Sequence, residues 1–410
     1  MDGDIRAFAH IDREHGLSQA RALDERRRSG AALGPLHGIP VGIKDIIDTE
    51  DYPAERGSPL FSGRRPQHDA TLVAKLRSAG AIIIGKTVTT ELAYFHPGPT
   101  RNPRDLERTP GGSSSGSAAA VAAGMVPLAI GSQTNGSIIR PASFCGVYSM
   151  KPSHGLVSRE GVLPLSRSLD HMGPFARSLD DLALILEAIA GYDPKDPDTR
   201  PAATPAFRAA ATAKPARPPR FAFVRTPIWE KKITADGKKA FEGLAERLQI
   251  ESLNLPDRFA SAWDALRRIM SVEMAHNLNA VVERGGDTSS QVLRDLLAEG
   301  SKVSAVDYLA ALDEAQALKR AMAVSFDTYD ALVTPASTGV APKGLDSTGD
   351  PAFCSLWTLL GVPTISMPIL HGENGLPIGV QLVGPWGDDT GLLQSARYFL
   401  GRWERKKSTR

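Results

Sequence analysis

Three short stretches of this sequence hold polar side chains where simple packing would not put them. The first is Val41-Gly42-Ile43-Lys44-Asp45-Ile46-Ile47, an apolar run interrupted by a lysine. An ammonium group in such a run is costly to bury unless it is paired or gives up its proton. Burial lowers a lysine pKa, and a neutral lysine is a competent general base. By itself the pattern fits an edge-strand lysine reaching water, or a structural ion pair, equally well. The second stretch is Thr109-Pro110-Gly111-Gly112-Ser113-Ser114-Ser115-Gly116-Ser117. Its paired glycines permit unusual backbone angles, and its serines can present hydroxyls inward. A flexible loop or a helix cap would use the same residues. The Lys-Ser/Thr ending of a phosphate-binding loop is missing. The third stretch is Gly131-Ser132-Gln133-Thr134-Asn135-Gly136-Ser137, followed by Ile138-Ile139-Arg140-Pro141. The amides of Thr134, Asn135 and Gly136 can converge on one oxygen as an oxyanion hole, and Gly136 removes bulk beside Ser137.

Taken together, the three stretches point to nucleophilic chemistry. A serine hydroxyl attacks an amide only with help from a base. Nine histidines are available, and His37, His68, His96, His154 and His171 sit in loop-like contexts, but no second signal selects one of them. A buried lysine can take that place. Gly112-Ser113-Ser114-Ser115-Gly116 also fits the Gly-x-Ser-x-Gly elbow of α/β-hydrolases, with Ser114 as nucleophile. That motif needs a buried strand just ahead of it, and Asn102 to Arg108 is charged and broken. Cys145 lies between apolar residues, a setting that raises a thiol pKa instead of activating it.

The surrounding elements read as α/β. Helical periodicity covers residues 17–29 and 69–79, and Ala81–Ile84 reads as a buried strand. Ala118–Ala123 suits a short, tightly packed helix and Val126–Ile130 a strand, so the Gly/Ser loops on either side belong to a packed unit. Ser178 with Asp181 forms a capping-box start for an apolar helix. Residues 192–220 are rich in Pro, Ala and Arg and read as an irregular connection. Helical patterns follow at about 235–248, 260–284 and 303–326, giving a helical subregion over about 220–330. Ala331–Val333, Thr364–Ile369 and Ile378–Val383 are strand candidates, and residues 388–401 close with a helix. The basic stretch from Arg402 to Arg410 reads as a frayed tail.

Composition narrows the function. The chain has 410 residues, 42% hydrophobic and 23% charged, with a net charge of +2. It lacks the strong basic field of a nucleic-acid binder. Two cysteines make no disulfide framework, and no run is long and apolar enough for a membrane span. The start (Asp2, Asp4, Arg6) is charged and has no signal core. The expectation is a cytoplasmic protein without nucleic-acid or membrane partners.

The three stretches also belong to a wider pattern. Gly38-Ile39-Pro40-Val41-Gly42-Ile43-Lys44-Asp45, Gly111-Gly112-Ser113-Ser114 and Gly136-Ser137 resemble, in order and spacing, the motifs of the amidase signature family. The resemblance continues through Phe144-Cys145-Gly146-Val147, Lys151-Pro152, Ser168-Leu169-Asp170-His171-Met172-Gly173-Pro174 and Gly361-Val362-Pro363, and is densest over residues 34–175. It implies one large amidase domain over 1–410, with a mixed central β-sheet covered by helices on both faces. It implies a catalytic triad of Ser137 as nucleophile, Ser113 as proton relay after a cis peptide bond, and Lys44 as base. The oxyanion hole falls on Thr134, Asn135 and Gly136. No metal and no cofactor are implied. Ser115 and Asn135 stand where members commonly have glycine; asparagine tolerates positive φ, which would keep the loop's shape. Arg140 stands three residues after Ser137, as in malonamidase-type members, where this arginine holds a substrate carboxylate; a structural arginine tying down the loop fits as well. The expected substrate is a small polar or carboxylated amide, with Tyr94, Phe95 and Trp357 as candidate pocket walls, and the expected assembly at most a homodimer. Two other functions share these motifs: the amidase subunit of a tRNA-dependent amidotransferase, and an inactive scaffold. Many members carry another helix ahead of the segment at Arg6.

Overall fold

The apolar runs become strands buried on both faces, and the periodic segments become the helices that cover them. The structure, a computed structural model, describes residues 2–407. The strands are β1 (Phe8–Ile11), β2 (Pro40–Lys44), β3 (Ile82–Thr87), β4 (Leu128–Gln133), β5 (Tyr148–Lys151), β6 (His171–Ala176), β7 (Phe221–Arg225), β8 (Glu251–Asn254), β9 (Ala331–Pro335), β10 (Thr364–His371) and β11 (Pro377–Val383). They form one mixed sheet in the order β1-β3-β2-β4-β6-β5-β10-β11-β9-β7-β8.

Successive residues of a strand face opposite sides, so a two-sided core needs apolar side chains at both parities. Val41, Ile43, Leu128 and Ile130 pack into one buried cluster with Leu72 and Leu76 of helix Thr71–Ser78 and Leu182 and Ile185 of helix Leu179–Ile189. Ala129 and Phe175 pack on the other side with Ala118, Val121, Ile139 and Ala142. The helix Ser115–Ala122 on that side is built from small residues because it lies directly on backbone. A Cβ added at Gly116 would sit 2.1 Å from the Ala7 carbonyl oxygen and 2.4 Å from the Val88 nitrogen.

The site is positioned by β2 and β4. β2 lies between β3 and β4, parallel to both, with Ile43 opposite Ile130. The C-terminal ends of β2 and β4 therefore emerge together, and in α/β sheets that edge is where ligands gather.

Several details differ from the sequence reading. Ser178 caps its helix as expected, accepting the Asp181 amide at 3.1 Å. The region 220–330 holds helices Ala262–Gly285, Gln291–Gly300 and Ala305–Thr328, but it also contributes β7 and β8 to the sheet. The 192–220 connection includes one short helix, Phe207–Thr212. The basic tail is helical as far as the structure describes it: the last helix runs Asp389–Lys407, and Arg402 Nη2 donates to the Leu248 carbonyl at 2.5 Å. Docking onto helix Ala235–Leu248 orders those residues; residues 408–410 lie outside the described part. Among the described residues no helix is long and apolar enough to cross a membrane.

Candidate active site

Lys44 ends β2 and is fully buried. Since β2 is an interior strand, the side chain has no route to water. Its Nζ donates to Ser113 Oγ at 2.6 Å and to Ser132 Oγ at 2.8 Å. Among the described residues it forms no ion pair. Lys86, equally buried, pairs with Asp45 at 3.1 Å. The contrast separates a structural lysine from one left without a counter-ion. Burial holds the Lys44 pKa well below 10.5, and the charge of Asp170 opposes this only in part.

Ser113 follows Gly112 through a cis peptide bond. Its neighbours turn elsewhere. The Ser114 hydroxyl donates to the Ser132 carbonyl at 3.1 Å and accepts the Ser132 amide at 3.2 Å, so this fully buried serine is spent on β4. Ser115 Oγ donates to the Gly111 carbonyl at 2.9 Å, which gives the residue replacing glycine a partner inside the loop.

The loop after β4 is clamped from two sides. Gln133 Oε1 accepts the amides of Ile138 at 2.8 Å and Ile139 at 3.0 Å, and its Nε2 donates to Thr358 Oγ1 at 2.9 Å. These bonds satisfy N–H groups that would be left over where helix Ile139–Cys145 begins. From helix Ala352–Leu359, Thr358 Oγ1 donates to the Asn135 carbonyl at 2.6 Å and Ser355 Oγ to Asn135 Oδ1 at 2.7 Å. Asn135 does not adopt positive φ, so its tolerance for that region is not used. Gly136 is needed for close packing: a Cβ there would lie 2.7 Å from Pro351 Cβ. The amides of Thr134, Asn135 and Gly136 donate to no acceptor among the described residues, and neither does the Ser137 hydroxyl. Ser113 and Ser137 line the same cavity, but no hydrogen bond joins their hydroxyls among the described residues.

That cavity spans about 340 Å³, including the solvent at its mouth. Its apolar wall includes Tyr94, Phe95, Leu165, Met270 and Met274. Trp357, expected on that wall, is fully buried in the core instead. A larger depression of about 1590 Å³, again including open solvent, lies between helix Ala235–Leu248 and the last helix, and none of the residues named for chemistry lines it.

Arg140 is 2% exposed. Its Nη2 donates to the Gly112 carbonyl at 2.6 Å and to Thr348 Oγ1 at 3.2 Å, and its Nη1 donates to the Gly349 carbonyl. No histidine lines the cavity. His171 is buried in β6 with Nδ1 2.6 Å from the Leu169 carbonyl, and burial drives its pKa well below 6.5. Cys145 is buried, and burial pushes its thiol pKa upward.

Four residues that sequence reasoning did not select complete the arrangement. Ser132 is the second partner of Lys44, and Gln133 fastens the loop. Asp170 accepts Thr134 Oγ1 at 2.6 Å and the amides of Leu165 and Ser166, each at 2.9 Å; burial still pushes its carboxyl up to about 6. Glu273, on helix Ala262–Gly285, accepts the Ser168 amide at 3.0 Å, Ser168 Oγ at 2.5 Å and the Tyr308 hydroxyl at 2.7 Å, and so holds the helix carrying Met270 and Met274 against the 165–170 turn. Ser132 and Gln133 stand in the third stretch, Asp170 in the Ser168–Pro174 motif and Glu273 in the helical pattern at about 260–284, but nothing local to any of them says which distant group it meets.

The fold is α/β, a mixed sheet covered on both faces, with a serine-lined cavity at the strand ends beside a buried lysine. The chain matches the Amidase family model over residues 1–393 and belongs to the amidase signature family, whose members hydrolyse carbon–nitrogen bonds. It is 36% identical to a glutamyl-tRNA(Gln) amidotransferase subunit from Rhodopirellula baltica, covering 96% of this chain and 89% of the relative. It is 38% identical to the subunit of the same name from Chloroflexus aggregans, covering 95% and 88%. Among solved structures, a vestigial protein complex related to the origins of an s-triazine catabolic enzyme aligns with TM-score 0.91 at 30% identity, covering 98% of this chain and 92% of that one. The peptide amidase PAM bound to chymostatin aligns with TM-score 0.85 at 32% identity, covering 97% and 90%.

These relatives correct one expectation. A small-molecule amide as sole partner, no nucleic acid and at most a homodimer do not stand beside relatives named as subunits of an enzyme that acts on a charged tRNA. Net charge misled here because it reports the field of one chain, and in a multi-subunit enzyme another chain can carry the basic surface.

Proposed function

We propose that this chain is the amide-hydrolysing subunit of a tRNA-dependent amidotransferase, freeing ammonia for a partner subunit that holds the charged tRNA. Full-length similarity to subunits of that name supports the assembly. One observation carries the chemistry: Lys44 is buried without a counter-ion and hydrogen-bonded to Ser113. As a neutral amine Lys44 takes the Ser113 proton while Ser113 takes that of Ser137. Ser137 then attacks the carboxamide carbon. The free amides of Thr134, Asn135 and Gly136 receive the developing oxyanion. The proton returns through the relay to the leaving nitrogen, ammonia departs, and water hydrolyses the acyl-enzyme. The Ser113–Ser137 contact closes when substrate fills the cavity, since catalytic hydrogen bonds commonly tighten only in the complex. The reading carries a cytoplasmic location with it.

The test is affinity purification of the tagged full chain from its native cells, followed by ammonia-release assays on glutamine and on simple primary amides, alone and with the captured partners. Co-purifying subunits, and glutamyl-tRNA amidation lost in Ser137→Ala, are expected. A chain recovered alone that hydrolyses amides at full rate would overturn the subunit reading. It would favour a stand-alone amidase, the reading for which the likeness to the peptide amidase speaks.

A further inference from the structure

We infer that Arg140 is a positioning residue for the relay serine, acting through the carbonyl of Gly112, and that it is not a holder of substrate carboxylates. The inference rests on the triad reading above. Arg140 is almost wholly buried, yet all three of its hydrogen-bond acceptors are uncharged. Burial without a carboxylate partner pulls its pKa down to about 10, so the guanidinium sits there at a cost that its contacts must offset.

Those contacts join three pieces of the site. Gly112 supplies the carbonyl of the peptide unit that leads directly into Ser113, and Nη2 grips that oxygen at 2.6 Å. Thr348 and Gly349 belong to the segment that continues into Pro351, whose ring packs against Gly136 beside the nucleophile. Arg140 itself rides on helix Ile139–Cys145, three residues after Ser137. One side chain thus fixes the relay loop relative to the helix that begins two residues after Ser137. The Phe95 ring, on the cavity wall, covers the guanidinium with its centroid 5.7 Å away.

The same geometry closes the alternative. A guanidinium can present a two-pronged face to a carboxylate from its end or from its Nε side, and both faces use an Nη2 hydrogen. Nη2 has two hydrogens and already serves two acceptors, Gly112 and Thr348. Of the five N–H groups two are left over, one on Nε and one on Nη1, and these lie on opposite sides of the guanidinium, so they cannot grip one carboxylate as a pair.

The experiment compares wild type with Arg140→Lys, Arg140→Ala and Ser113→Ala. It reads labelling of Ser137 by a fluorophosphonate and steady-state ammonia release from succinamate and from uncharged butyramide. For both arginine variants, labelling and kcat should fall by about 100-fold, the scale of an ångström-sized misplacement, with KM nearly unchanged and equal losses on both amides. Millimolar guanidinium chloride should restore part of the Arg140→Ala rate, which a general loss of stability would not allow. An intact kcat with KM raised for succinamate alone overturns the inference in favour of a carboxylate holder. An Arg140→Ala variant that is folded but unresponsive to guanidinium also overturns it. Full activity in Ser113→Ala would instead refute the triad reading beneath it. If Arg140→Ala does not fold, the Arg140→Lys comparison on the two amides decides.

Discussion

Replacing Lys44 with methionine keeps most of the volume while removing the amine. In the structure Nζ donates to Ser113 Oγ and Ser132 Oγ, so the change leaves two buried hydroxyls each short of one partner. At about 1 kcal/mol for each bond lost, offset by no longer desolvating an amine, Lys44→Met should cost at most about 2 kcal/mol of stability. The kinetic effect should be far larger. Loss of a general base removes roughly 100- to 10,000-fold in rate, about 3–5 kcal/mol of transition-state stabilisation. The pH dependence supplies the sign. Burial disfavours the charged amine, so the folded pKa lies well below 10.5. Below that folded value Lys44 is protonated and cannot accept a proton; wild-type activity should therefore rise as pH increases through it. The variant should lose this limb. The assay is ammonia release across pH with parallel fluorophosphonate labelling, on protein shown to be folded by circular dichroism. A folded Lys44→Met enzyme turning over within about threefold of wild type, or keeping the same acid limb, would refute the reasoning.

Two further perturbations test the supports of the site. Asp170 has a folded pKa raised from 3.8 to about 6, so stability falls as pH rises between those values, by on the order of 3 kcal/mol in all. Asp170→Asn should flatten that fall in denaturation curves taken at pH 4 and pH 7; because the Asp170 charge raises the Lys44 pKa, the acid limb of activity should also move to lower pH. An unmoved limb would show that the carboxylate does not act on Lys44. In Gly136→Ala the new methyl group meets Pro351 at 2.7 Å and Cys354 at 3.3 Å, both through their Cβ atoms. The loop must shift, at about 1–3 kcal/mol in melting experiments and about 100-fold in kcat. A variant as active as wild type would mean that the loop amides do not act from this geometry.

What could be read early was whatever broke a local rule. Lys44 interrupts an apolar run, Gly111-Gly112 precedes clustered serines, and Gly136 stands before Ser137. Helices with clear periodicity were legible too: residues 235–248 form one helix with those limits, Ala235–Leu248. β8 was not, because its residues are mostly exposed and carry no apolar alternation. β6 escaped notice because all its positions are buried and it contains both glycine and proline.

The sequence by itself determined that a lysine interrupts an apolar run and that hydroxyl-rich glycine loops follow it, because residue type and order are local; whether that lysine reached water from an edge strand it left open. It also determined the family, since three spaced motifs outlast changes at Ser115 and Asn135. Only the tertiary structure decided which groups that lysine meets. Ser132, Asp170 and Arg140 take their roles from partners far along the chain, brought together by strand pairing and helix docking. Such contacts form between segments whose local patterns are indifferent to one another, so no local pattern announces them. The burial that leaves Lys44 with hydroxyls and no carboxylate is a property of the assembled sheet.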